Sequence, residues 1–153
     1  MNILHLLFGF SGRINRAKFW LAALIYVVVF LVGMTLVMMT TSSMTVIYTA
    51  AAILYVPLGI SGIAVGIKRL HDRNKSGWWL LLFYGVPLVL NVLGYYTLDD
   101  DDPGLLGHIL MYVSFAINIW ALVELGCLRG TIGANQYGSD PRAPQPAPPR
   151  TLR

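Results

Sequence analysis

The chain has 153 residues, of which 56% are hydrophobic and 12% are charged, with a formal net charge of +4. Soluble domains carry about 25% charged residues, so this composition argues against a soluble globular protein. A membrane crossing needs about 20 apolar residues, so the length allows about five crossings at most and excludes a large catalytic domain outside the membrane.

The N-terminal segment, residues 1–18, is apolar at first and basic afterwards. Its apolar part, 3–10, is too short to span and has no basic residues before it, which favours an uncleaved interfacial helix over a signal peptide. The first motif follows, with the sequence GRINRAKFW at positions 12–20. If this motif is helical, Arg13 and Arg16 share one face, with Trp20 a turn further along. These residues predict either a phosphate site or simple topogenic charge.

A transmembrane domain is predicted at 19–128. Residues 19–67 hold no Asp, Glu, Lys or Arg, and this run is long enough to cross a hydrocarbon core of roughly 30 Å twice. Two further charge-free runs follow, separated by the acidic run Asp99–Asp102. We therefore predict a polytopic all-α protein with four transmembrane helices, near 19–40, 44–67, 77–97 and 104–128.

The second motif, RLHDRNKSGWW at positions 69–79, follows the second predicted span. Arg69 and Arg73 are four residues apart and align on a helix. An acid/base pair of His71 with Asp72 is one interpretation, but neighbouring side chains diverge on a helix, so we expect Asp72 to pair with an arginine. Gly77 is interpreted as a turn residue, and Trp78 and Trp79 as interfacial anchors.

Few polar residues lie inside the predicted spans. Glu124, near the end of the fourth, is expected to neutralise Arg13, Arg16 or Arg69, or else to shape a ligand or proton site. Asn91 and Asn118 lie near mid-depth of antiparallel spans, where helix packing is their default role and a hydrogen bond between them is the further hypothesis.

A glycine-rich exit loop is predicted at 129–140, with GTIGANQYGSDP at positions 130–141 as the third motif. It lacks the Gly-Lys-Ser/Thr ending of a phosphate loop, so its glycines are interpreted as turn residues. Asn135 and Tyr137 are expected to fold the loop back onto the basic boundary, with a flexible loop as the alternative. The proline-rich tail, 141–153, is predicted to be disordered, although a PxxP ligand is the competing hypothesis.

All eleven Lys and Arg residues fall on one side of the four predicted spans. The opposite side has only a Thr/Ser turn and the acidic run. The positive-inside rule therefore predicts that both termini are cytoplasmic.

The three motifs, in this order around four spans, resemble a bacterial inner-membrane family catalogued as domain of unknown function 805. The resemblance runs from about Phe10 to Pro141. It implies a four-helix protein of the cytoplasmic membrane and brings no established activity with it. Lys68, Gln136 and Ser139 depart from the family pattern.

Taken together, the sequence predicts a non-enzymatic inner-membrane protein whose basic cytoplasmic face binds anionic lipid headgroups or an acidic membrane partner. A small transporter or channel component is the alternative, and a membrane-embedded lipid-modifying enzyme is a third hypothesis. No cofactor, metal or nucleic acid is expected, and self-association is left open. The candidate ligand-binding residues are Arg13, Arg16, Arg69, His71, Asp72, Arg73 and Glu124, and the candidate structural residues are Gly77, Trp78, Asn91, Asn118, Asn135 and Tyr137.

Overall fold

The computed structural model describes residues 2–97 and 104–143, and within these ranges the regular structure is helical, without a strand. The predicted all-α fold is therefore confirmed. The acidic run Asp99–Asp102 and residues 144–153 of the proline-rich tail lie outside the described residues. Three helices are long and apolar enough to cross a membrane, and a shorter apolar helix joins them: Arg16–Thr40, Met44–Asp72, Leu105–Cys127 and the shorter Leu81–Tyr96.

Helix α1 (Ile3–Phe8) precedes the first long helix and packs mainly against the second. Asn2 caps α1, since its side-chain oxygen accepts from the Leu4 N–H. Gly12 then adopts a left-handed φ of 88°, which turns the chain toward α2.

Helices α2 (Arg16–Thr40) and α3 (Met44–Asp72) form the first hairpin. Asn15 begins α2 by accepting from the Lys18 N–H at 3.0 Å. Helix α3 extends past the predicted boundary at 67 and carries the start of the second motif as helix. It ends where Asn74 takes a left-handed φ of 57°, while Gly77 lies in the turn that follows.

The second hairpin contains two π-helical turns, which the sequence analysis did not predict. The first, Leu81–Gly85, leads into α4 (Val86–Tyr96), where Pro87 has no N–H to donate to the preceding turn. The second, Val123–Cys127, ends α5 (Leu105–Leu122). π turns of this kind are frequent at functional sites.

The two hairpins meet at one end only. We call this the motif end, because the three motifs lie there, and the opposite end, with Thr41–Ser43, the turn end. Along their lengths, α2 pairs with α3 and α4 with α5, but no Cα of α2 or α3 comes within 8 Å of a Cα of α4 or α5 in the described residues. A buried apolar cluster crosses between the hairpins near the motif end, formed by Leu70, Leu80, Phe83, Ala121 and Leu125.

Candidate functional site

The last carbonyls of the second hairpin accept hydrogen bonds from side chains of the first two motifs. The Leu125 carbonyl accepts from Arg69 Nε at 2.6 Å, and Gly126 accepts from Trp20 Nε1 at 3.1 Å. The same pattern continues along the chain, with Cys127 bound by Arg16, Leu128 by Arg69 and Arg129 by Arg73.

These contacts have a direct physical cause. The final carbonyls of a helix have no N–H partner within the helix, and they carry the negative end of its dipole. Arginine is suited to this position because its fork offers several donors and a positive charge. The arginines therefore join the two hairpins by capping a helix terminus.

The same device holds α1. Lys68 is completely buried, and its ammonium group donates to the carbonyls of His5 and Leu6 at 2.8 and 2.6 Å. Ser61 donates to the Leu7 carbonyl at 2.7 Å. Helix α3 thus caps the C-terminal carbonyls of α1 as it does those of the second hairpin.

Asp72 is the centre of a buried ion-pair cluster. Its Oδ1 accepts from Arg13 Nη2 at 3.1 Å and its Oδ2 from Arg69 Nη1 at 2.5 Å, and both side chains of each pair are nearly inaccessible. Asp72 therefore pairs with arginines, and two cations share one buried carboxylate. The carbonyls around the cluster accept the remaining arginine donors, which offsets the cost of burying charge.

The third motif closes over this cluster. The Asp72 carbonyl accepts from the Thr131 N–H at 2.8 Å, and Arg13 donates to the carbonyls of Thr131 and Gly133 at 2.7 Å each. A Cβ at Gly130 would overlap the Asp72 carboxylate. Gly130 is therefore needed for close approach, whereas Gly133 and Gly138 have positive φ, as expected of turn residues.

Two further residues dock the exit loop onto the end of α3. Asn135 Nδ2 donates to the His71 carbonyl at 2.8 Å. The Tyr137 ring stacks on the His71 imidazole, with centroids 3.8 Å apart and planes within 3°. The loop is thus folded back in the structure.

Glu124 forms the second ion-pair cluster. Its Oε1 lies 3.0 Å from Arg73 Nε and 2.9 Å from Lys75 Nζ. The prediction that it pairs with Arg13, Arg16 or Arg69 was wrong, because those arginines are directed to Asp72 and to helix carbonyls. Lys75 also lies 4.6 Å from the Trp79 ring centroid and links this cluster to the second hairpin.

The predicted geometry of the first motif was also wrong. Arg13 lies before α2, which begins at Arg16, so the two arginines do not share a helix face. Arg13 turns inward to Asp72, while Arg16 reaches Cys127. Residues 13–15 lie outside the helix, and Asn15 has an extended backbone where it caps α2, so helical periodicity does not apply to Arg13.

The two tryptophans of the second motif behave differently. Trp78 is 77% exposed, as an interfacial anchor would be. Trp79 instead packs against Phe83 and edge-on to Trp120, so it belongs to the interior of the second hairpin.

The expected bond between Asn91 and Asn118 is not formed, and that prediction was wrong. Both side chains instead bind Ser114: Asn91 Nδ2 donates to its hydroxyl at 2.8 Å and Asn118 Nδ2 to its carbonyl at 2.9 Å. The small, buried Ser114 lies between the two asparagines and separates their amides.

A polar cavity of about 310 Å³ opens beside the Asp72 cluster. It is lined by parts of all three motifs and by the residue that follows the third: Asn15, Arg16, Ala17, Arg69, Asp72, Gly130 and Arg142. Arg16 is an exposed member of this set, with one recorded side-chain hydrogen bond, to Cys127. Among the candidate ligand-binding residues, the cavity brings together Arg16, Arg69 and Asp72, and its lining does not include Arg13, His71, Arg73 or Glu124.

Sequence reasoning missed several residues that build this end. Lys68, Lys75 and Thr131 make the contacts described above, and Gly126 leaves room for Trp20, since a Cβ there would lie 2.8 Å from its ring. One feature of the sequence could have indicated these contacts. The last carbonyls of the fourth span have no N–H partner within their helix and require other donors, which the basic and polar residues of the motifs can supply.

Comparison with known proteins places the chain among membrane proteins. A family model described as "Protein of unknown function (DUF805)" matches residues 7–139. The chain is 33% identical over 140 residues to "Uncharacterized protein YiiR" of Escherichia coli strain K12, covering 92% of this chain and 90% of that protein. It is 30% identical over 142 residues to "Inner membrane protein YhaI" of the same strain, covering 88% and 86%. No solved structure matches.

Proposed function

The chain belongs to the family of proteins of unknown function called DUF805, and on that premise we propose that it binds the phosphate of an anionic lipid headgroup in the polar cavity at the motif end. The protein would then be a four-span protein of the cytoplasmic membrane, with both termini on the cytoplasmic side. The role is binding rather than catalysis, because His71 is stacked under Tyr137 and Asp72 lies between two arginines.

The orientation is supported by the distribution of charge. All eleven Lys and Arg residues precede the first span, follow the second or follow the fourth. Cytoplasmic loops carry this excess of basic residues. A cysteine at Asp100 is therefore expected to label from outside intact cells and a reporter after Arg153 to be cytoplasmic, whereas labelling at Asp100 only after lysis would contradict the orientation.

The composition of the cavity carries the proposal. Three arginines, Arg16, Arg69 and Arg142, line it with a single carboxylate, Asp72. That carboxylate is already paired on both oxygens, and Arg142 is paired with Asp140, so the excess positive charge of the cavity belongs to Arg16. The first turn of α2 also lines it, and the N-terminus of a helix favours an anion.

The position of the cavity favours a lipid over a soluble anion or an acidic protein segment. It lies where α2 begins, about one helical turn before Trp20, whose side chain is 47% exposed. Headgroup phosphates of a bilayer are concentrated at this depth, and basic groups near the surface attract anionic lipids. Arg16 is the residue best placed to contact the phosphate, because it is exposed and pairs only with the Cys127 carbonyl among the described residues, whereas Arg69 and Arg142 each pair with a carboxylate.

The test compares Arg16→Gln with Arg129→Gln, which removes an equal charge from an exposed arginine outside the cavity lining. Native mass spectrometry would measure phosphatidylglycerol retained by each protein, with phosphatidylcholine as the neutral lipid. We expect Arg16→Gln to lower the affinity for the anionic lipid about tenfold or more, as the loss of one charge-assisted contact of about 1.5–3 kcal/mol implies, and Arg129→Gln to retain the lipid.

Arg16→Lys sharpens the test because it keeps the charge and removes the guanidinium fork. If Arg16→Lys binds the anionic lipid as well as the wild type does, positive charge alone explains the binding and the guanidinium geometry is not needed. Equal loss in Arg16→Gln and Arg129→Gln would contradict a shaped site. Retention of an acidic peptide in place of lipid would favour a protein partner.

A further inference from the structure

Polar groups are exposed along the seam between α4 and α5, at a depth where the surroundings are hydrocarbon. A groove of about 490 Å³ runs along this seam and is lined by Asn91, Met111, Tyr112, Ser114, Phe115 and Asn118. Ser114 is ten residues from Gly104, about 15 Å along the helix axis. That distance places it near the middle of a hydrocarbon core of roughly 30 Å.

The two asparagines of this groove retain hydrogen-bonding capacity. Each amide uses one donor inside the hairpin, toward Ser114. Among the described residues, no hydrogen bond is recorded to either side-chain oxygen, and both side chains are exposed. Two threonines of the first hairpin differ, because the Thr35 and Thr49 hydroxyls donate to carbonyls one turn earlier in their own helix.

Lipid chains offer no hydrogen bonds, so an amide that faces them is left without a partner at a cost in free energy. Between membrane helices, asparagine side chains commonly hydrogen-bond across the interface. An exposed pair of amides within the bilayer therefore indicates a second polar surface that covers them.

We propose that this groove binds the same groove of a second copy of the chain, forming a two-fold symmetric dimer. An asparagine amide is both donor and acceptor, so a surface that carries two of them is complementary to itself. Two-fold symmetry presents identical patches to each other, which is the arrangement that such a surface needs.

The length of the third helix supports the same conclusion. Leu81–Tyr96 has 16 residues and spans about 24 Å, less than the hydrocarbon core. Oligomerisation is one of the ways in which a short membrane helix accommodates such a mismatch. Association through α4 and α5 shields this helix from lipid, whereas the longer α2 and α3 have no such need.

Two measurements test the proposal: one identifies the helix face through which the copies associate, and the other gives the strength of association. In a Cys127→Ser background, Phe115→Cys places one cysteine in the groove and Leu24→Cys places one on exposed α2. Oxidative cross-linking in native membranes should give dimers from the groove cysteine and not from the α2 cysteine. Dimers formed equally from both positions, or monomers only, would overturn the proposal.

Energy transfer between labelled copies in phosphatidylethanolamine/phosphatidylglycerol vesicles then gives the dissociation constant as the protein is diluted in lipid. We expect Asn91→Leu and Asn118→Leu each to weaken association about threefold to tenfold. Thr35→Val is the matched control, because its hydroxyl is satisfied within α2, and it should leave the constant unchanged. Unchanged association in both asparagine variants would contradict the proposal, as would an equal effect of Thr35→Val.

Discussion

The motif end and the apolar lengths of the two hairpins are held together in different ways. At the motif end, buried charges and helix carbonyls from distant parts of the chain bind one another, as Arg69 shows by contacting both Asp72 and Leu125. Between the motif end and the turn end, the helices pair two by two, and their large apolar side chains face outward.

This difference follows from the solvent that each region meets. Lipid chains are as apolar as leucine, so burying leucine between helices brings little gain within the bilayer. At the membrane boundary, unpaired carbonyls and charges are costly, and satisfying them links whatever elements supply the partners. The arrangement of the two hairpins is therefore expected to depend on the polar motif end.

The largest expected effect comes from Asp72→Asn. This change leaves Arg13 and Arg69 buried without their shared carboxylate, and breaking a buried ion pair costs about 3–5 kcal/mol. Thermal unfolding in detergent should show a large loss of stability. Gly130→Ala should act in the same direction, because its Cβ displaces the same carboxylate. A melting temperature equal to that of the wild type in both variants would show that the cluster is dispensable.

Glu124→Gln is expected to have a smaller effect. The Arg73 and Lys75 side chains that it pairs with are about a quarter exposed, at 23% and 28%, so water screens them once the carboxylate is removed. We expect a loss of about 1–2 kcal/mol, between the values for exposed and buried ion pairs. Cys127→Ser, an exposed change in the same π-helical turn, is the control, and an equal shift in the two variants would argue against the ion pairs.

A smaller and local effect is expected from Tyr137→Leu. Loss of the stacked ring over His71 removes about 0.5–1.5 kcal/mol and should release the exit loop without unfolding the helices. Hydrogen exchange should rise in the loop and stay unchanged in α3. Tyr137→Phe keeps the ring and should behave as the wild type, so increased exchange in that variant would assign the effect to the hydroxyl.

The smallest effect concerns pH. N–H groups of Arg142 and Gly133 donate to the Asp140 carboxylate and hold its pKa below the ordinary value. A lowered pKa means that this carboxylate stabilises the loop fully above the ordinary Asp pKa of about 3.9, and that the contribution is lost as the pH falls through the folded-state value. Protection of the Gly133 amide should decrease in acid, and Asp140→Asn should abolish that dependence.

How much the sequence reveals differs between the same two regions. The helical fold and the membrane class follow from long apolar runs, which are local and do not depend on partners. The pairing at the motif end does not follow from the sequence. Glu124 pairs with Arg73 and Lys75 because of local backbone geometry, namely the π-helical turn that holds Glu124 and the left-handed Asn74 between its two partners. Periodicity placed Arg13 and Arg16 on one helix face, but α2 begins only at Arg16, and the extended backbone of its cap Asn15 directs Arg13 elsewhere.

The central claim, that the motif end sets the placement of the hairpins, can be tested by one distance measurement. In a Cys127→Ser background, spin labels at Met39 and Tyr96 report on separate hairpins near the turn end, and labels at Met39 and Met44 report within the first hairpin. These three side chains are exposed. We predict that Asp72→Asn broadens and shifts the distance distribution between hairpins and leaves that within the hairpin unchanged. An unchanged distribution between hairpins, in a variant whose melting temperature has fallen, would contradict the claim.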